Sequence, residues 1–106
     1  MNARLLAIPA TAVAVLAVAL PAAADNTISV KDNVFGPKST TVKKGSTVKF
    51  TWRGRAPHNV AVVRGPVKFR SSTKTSGTYS KRLTRAGTYR ITCTIHPGMD
   101  LLLRVR

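Results

Sequence analysis

The chain contains one cysteine, three acidic residues and, past its amino-terminal segment, no apolar run long enough to cross a bilayer. Cys93, being alone, cannot close an internal disulfide, so a small domain built on this sequence must find added stability elsewhere, and a bound metal is the usual alternative. A cysteine nucleophile beside a histidine needs an orienting group, an oxyanion site and an exposed cleft, and a domain with only three acids, Asp25, Asp32 and Asp100, and no obvious cleft offers little of this, which argues against a hydrolytic enzyme. Aromatic residues are also scarce, and Phe35, Phe50, Trp52 and Tyr89 are expected in the core. No helix-period segment, internal repeat, zinc-finger or RNA-binding signature accompanies the basic residues, and nucleic acid is not an expected partner.

Positive charge is abundant: 18 Lys and Arg give a formal net charge of +15. Arg4, the apolar stretch from Leu5 to Leu20 and Ala22-Ala23-Ala24 have the charged, hydrophobic and small-residue regions of a secretory signal peptide. Its uninterrupted part, Ala10 to Leu20 between Pro9 and Pro21, falls short of the roughly 20 residues of a membrane span. Cleavage after Ala24 is therefore expected, with an uncleaved anchor as the alternative. This divides the chain into residues 1–24, a signal peptide, and residues 25–106, one domain located outside the cytoplasm, in the periplasm or at the cell envelope, or secreted. Removing Arg4 with the signal leaves 17 basic residues against 3 aspartates, a net charge of +14. Such a field speeds encounter with acidic partners and also favours anionic envelope polymer or lipid.

The remainder breaks into short runs separated by turn residues, the pattern of an all-β sandwich or barrel. Ile28 and Val30 alternate with polar neighbours. Thr40–Lys43 and Ser46–Arg53 flank a Lys44-Gly45 turn, and Val48, Phe50 and Trp52 share one face of the second run. His58–Val63 is a further expected strand. Residues 64–77 read as a loop containing one short strand, with Val67 and Phe69 as its core anchors. Thr78–Leu83 and Thr88–Thr94 suggest a hairpin about Ala86-Gly87, and Leu101, Leu103 and Val105 alternate in a last strand. Period-two alternation puts Cys93 on the inward face with Tyr89 and Ile91, and puts His58 with Val60 and Val62.

The sole cysteine, one of two histidines and the only methionine after Met1 fall within "CTIHPGM", Cys93 to Met99. Two imidazoles, a thiolate and a thioether suit copper in both oxidation states: imidazole serves Cu(II), while sulfur favours Cu(I). Zinc would take the cysteine and histidines, but its fourth ligand is usually water or a carboxylate. Pro97-Gly98 supplies the turn that lets Cys93, His96 and Met99 face one ion. His58, well upstream, must then come from a neighbouring strand.

With "FGPKSTTVKKGSTVKFTW", "APHNVAVV" and "GTYRITCTIHPGM", the region from Asn26 to Arg106 resembles the small bacterial cupredoxins, the type 1 blue copper proteins of the plastocyanin, pseudoazurin and amicyanin group. The Cys-x-x-His-x-x-Met spacing is most similar to the short loop of amicyanin. The resemblance implies a Greek-key β-sandwich or barrel of about seven to eight strands. It implies one type 1 copper ion with His58, Cys93 and His96 as equatorial ligands and Met99 as axial ligand. It further implies that Asn59 ties the two ligand-bearing loops together beside the sulfur. Asp100 after the methionine and Ile95 before the second histidine depart from the common family pattern, and both bear on the rigidity of the loop.

The expected function is one-electron transfer by Cu(II)/Cu(I) cycling in a monomer that acts on no substrate, with an acidic redox protein as partner. By resemblance, the electron leaves through His96, and positive charges from Arg53, Arg55 and Arg104 are expected to tune the site. The alternatives are a copper carrier or scavenger serving an oxidase or metal resistance, and a basic module that binds anionic envelope polymer.

Overall fold

The computed structural model describes residues 26–106; the expected signal peptide, its cleavage point and Asp25 lie outside the described residues. Eight strands follow in order: β1 (Thr27–Lys31), β2 (Val34–Gly36), β3 (Ser39–Val42), β4 (Thr47–Trp52), β5 (Ala61–Arg64), β6 (Thr78–Arg82), β7 (Gly87–Thr92) and β8 (Asp100–Val105). They form two four-stranded sheets, β2-β1-β4-β6 and β3-β8-β7-β5. Two of the pairings, β1 with β4 and β3 with β8, are parallel, and the rest are antiparallel. No helix occurs among the described residues. The architecture is the expected all-β sandwich of eight strands.

Alternation in the sequence dictates the core. Val48, Phe50 and Trp52 on β4 and Tyr89 and Ile91 on β7 are buried, while Lys49 and Arg90 between them face solvent. Phe35 joins them, so all four aromatics expected inside are inside.

The expected hairpin of β6 and β7 is not formed. β6 pairs with β4 in one sheet, whereas β7 pairs with β8 and β5 in the other. Alternation reveals which face of a strand is buried but not which edge it joins, and the connection here crosses the sandwich. Leu83, 1% exposed, plugs the core where the chain changes sheet, and its amide and carbonyl bond to Ser46 and Gly45 respectively.

The segment expected as one strand from His58 to Val63 is also divided. Regular pairing begins only at Ala61, and His58 is held by an isolated bridge to Lys74, with N–H···O distances of 2.9 and 3.0 Å. His58, Asn59, Val60, Ala61 and Val62 are all buried, so the two-residue alternation fails here. The cause is the 65–77 segment, which contains bridges at Arg70 and Lys74 but no named strand and lies along this stretch. Val62 N–H donates to the Phe69 carbonyl, Ser71 N–H donates to the Val60 carbonyl, and Val60 N–H donates to Ser71 Oγ. Phe69 is buried and Val67 packs against the core, as the two anchors were expected to do.

Candidate metal centre

β7 and β8 are antiparallel neighbours joined by residues 93–99, with Thr92 opposite Asp100. Cys93 and Met99 therefore flank the last register pair, and Cys93 N–H donates to the Met99 carbonyl at 3.0 Å. Within the loop, Met99 N–H donates to the His96 carbonyl at 3.1 Å, and Gly98 adopts φ of 86°. That left-handed conformation is the reason for glycine, because a Cβ there would meet nothing. Cys93 and Met99 are buried, His96 is partly exposed, and Ile95 is 41% exposed.

His58 enters from the loop between β4 and β5. Trp52 at the end of β4 anchors that loop from below, its Nε1–H donating to the His58 carbonyl at 3.0 Å. The His58 ring is fully buried. Its Nδ1 lies 3.1 Å from His96 Nδ1 and 3.8 Å from Cys93 Sγ, and His96 Nδ1 lies 3.6 Å from the same sulfur. The expected imidazole, thiolate and imidazole thus converge, all three ligand atoms lying within 4.8 Å of one another. For metal–nitrogen bonds of about 2.0 Å and metal–sulfur bonds of about 2.3 Å, one trigonal ion separates its ligand atoms by roughly 3.5 to 3.7 Å. The three side chains fit a single small ion. With two nitrogens, one sulfur and Met99 as the adjoining buried residue, the donor chemistry suits copper.

Asn59 joins the two loops in both directions. Its Nδ2 donates to Thr94 Oγ1 and its Oδ1 accepts from Thr94 N–H, each at 2.8 Å. Of the three cations expected nearby, Arg55 and Arg53 belong to the His58 loop, but Arg104 does not: it pairs with Thr41 and Thr88, four residues along β8 from Asp100 and towards the opposite pole. β8 runs away from the site, so its position in the chain near Met99 misleads. Arg70, which reaches Thr94 Oγ1 at 3.4 Å, and Lys74, which lies 5.5 Å from the centroid of the Trp52 ring, are the additional cations near the site.

Sequence reasoning missed Asp32, which entered it only as a charge. Asp32 Oδ1 lies 2.9 Å from His58 Nε2. The carboxylate also accepts the backbone N–H of Arg55, at 3.0 Å to each oxygen, and that of Ala56 at 2.9 Å. The bond from His58 and then the two amides hold the carboxyl at about 2, below its ordinary 3.8. The only signal in the sequence was an acid in the turn after β1 of a chain with almost no others.

Comparison with known proteins bears on the same residues. The family model described as copper binding proteins, plastocyanin/azurin family, matches residues 22–106. Among solved structures, a reduced tryptophan-to-tyrosine variant of amicyanin is 30% identical, with 78% of this chain and 85% of that one covered at a TM-score of 0.69. A Cu-containing nitrite reductase from Thermus scotoductus SA-01 is 26% identical over 86% of this chain but only 26% of its own length, with a TM-score of 0.69. A purple cupredoxin from Nitrosopumilus maritimus, 21% identical, covers 77% of this chain and 100% of that one at a TM-score of 0.70 and shares the fold. A search of curated protein sequences found no match.

Proposed function

Because the chain belongs to the plastocyanin/azurin family of copper-binding proteins, we propose that it is a type 1 copper electron carrier in which His58, Cys93, His96 and Met99 hold one ion. The observation that carries this reading is the convergence of two imidazole nitrogens and the only thiol within 4.8 Å. Copper in such a ligand set supplies a reversible one-electron step between Cu(II) and Cu(I), with no substrate bond made or broken.

The chain's own residues set the conditions for that step. Cys93 and His58 are almost fully buried, which keeps water from the sulfur and resists exchange of the ion. Asn59 holds the two loops in register next to the thiolate. Such restraint suits a carrier, since an unchanging set of ligands minimises rearrangement when charge moves. It disfavours a scavenger, whose site must open. His96, partly exposed beside Ile95 and Pro97, offers an apolar edge through which an electron leaves.

The test is to load the protein with copper, cycle it between ferricyanide and ascorbate, and expose it to a mild chelator. Repeated cycling with the metal retained is expected; rapid loss of copper to the chelator would favour the copper carrier.

The partner is an acidic redox protein met outside the cytoplasm. The +15 charge of the chain and the cations Arg53, Arg55, Arg70 and Lys74 around the site's end of the sandwich support this, because complementary charge accelerates encounter. Electron transfer to an acidic acceptor is expected to slow steeply as ionic strength rises from about 10 to 150 mM, over which the screening length shrinks from about 30 to 8 Å. Stopped-flow rates that do not change with salt would eliminate the acidic partner.

A further inference from the structure

We propose that Asp32 is a positioning residue for the metal site, a carboxylate latch that sets the tautomer and orientation of His58 from the side facing away from the ion; this rests on the copper reading above. A histidine binds metal through one nitrogen, and the hydrogen bond made by the other determines which nitrogen is free. Here the outer nitrogen, Nε2, lies 2.9 Å from Asp32 Oδ1, while Nδ1 faces Cys93 and His96. A carboxylate accepts and does not donate, so Nε2 carries the proton and Nδ1 presents its lone pair to the other ligand atoms.

The same carboxylate binds the loop that delivers the ring. Its bonds to the Arg55 and Ala56 amides close the 53–57 segment over the turn after β1. Arg53 adds a second tie to β1, its Nε donating to Ser29 Oγ at 3.2 Å. Gly54 makes the approach feasible: a Cβ at this position would run into the Asp32 carboxylate and lie 2.8 Å from the Asp32 backbone nitrogen. Glycine is needed here for space. Asp32, distant in the chain from Gly54 and His58, therefore acts with them as one unit, and the anionic partner should make His58 a stronger donor that favours Cu(II).

The test uses Asp32→Ala, Asp32→Asn and Gly54→Ala in the full chain. In copper-free protein, two-bond proton–nitrogen correlation spectra of the His58 ring should show the Nε2–H tautomer in the native protein and a mixture of tautomers in Asp32→Ala. In copper-loaded protein, the affinity of Asp32→Ala for copper should fall by about 10- to 100-fold. Asp32→Asn can keep a hydrogen bond while losing the charge, so it should retain the tautomer but raise the midpoint potential. Gly54→Ala should reproduce the effects of Asp32→Ala with the carboxylate still present. Asp32 is 43% exposed in its side chain, so its replacement leaves the core intact. A native tautomer together with native copper affinity in Asp32→Ala would overturn the proposal. Should the native protein bind no copper, the reading of the site fails, whereas the tautomer measurement on copper-free protein still decides the role of Asp32.

Discussion

Cys93→Ser is expected to abolish the intense visible absorption of the copper-loaded protein completely and to leave the fold in place. That absorption arises from charge transfer out of a thiolate, and no other thiol exists in the chain to replace it. The thioether of Met99 is a weaker donor and cannot stand in. The main-chain bond from Cys93 N–H to the Met99 carbonyl does not depend on the sulfur, so the loop should still close. Visible and far-ultraviolet spectra of the native and variant proteins, each given one equivalent of Cu(II), check both halves of the expectation. A blue variant would mean that the colour comes from another site.

Phe50→Ala should destabilise the copper-free protein by about 3–5 kcal/mol, the usual cost of emptying a buried phenylalanine site. Phe50 is fully buried at the middle of β4, between β1 and β6, with the Tyr79 ring centroid 6.1 Å away. A domain of this size is typically stable by only about 5–15 kcal/mol, so the variant should lose a large share of its stability. The loss should also reach the metal site. β4 ends at Trp52, which holds the His58 carbonyl, and a loosened strand loosens that anchor. Urea unfolding followed by tryptophan fluorescence measures the change; a loss below about 1 kcal/mol would show that the core accommodates the cavity and that β4 is not its centre.

What could be read from the sequence follows from the range over which each signal acts. The inward face of β4 and the ligand loop are local patterns: Val48, Phe50 and Trp52 alternate within one strand, and Cys93, His96 and Met99 lie on either side of a Pro-Gly turn. Both were legible. Placing His58 opposite that loop required the fold, which the copper chemistry and the family resemblance supplied together. Pairing of β6 with β4 was not legible, because Tyr79 and Leu83 announce only that they point inward, and the crossing between sheets depends on which edge is vacant. The burial of His58–Val62 on both sides likewise depends on a segment several residues further along that lies against it. Asp32 was invisible for a different reason. Its function comes from hydrogen bonds to three residues more than twenty positions away, and an aspartate in a turn is ordinarily explained by the turn itself.

On the reading proposed above, His58, Cys93 and His96 grip one copper ion at a single end of the sandwich. Copper-edge X-ray absorption on protein carrying one equivalent of the metal addresses it most directly. Two nitrogen neighbours and one short sulfur neighbour are expected in the innermost shell, with the sulfur lost in Cys93→Ser. A shell made of nitrogen and oxygen alone in the native protein would contradict it.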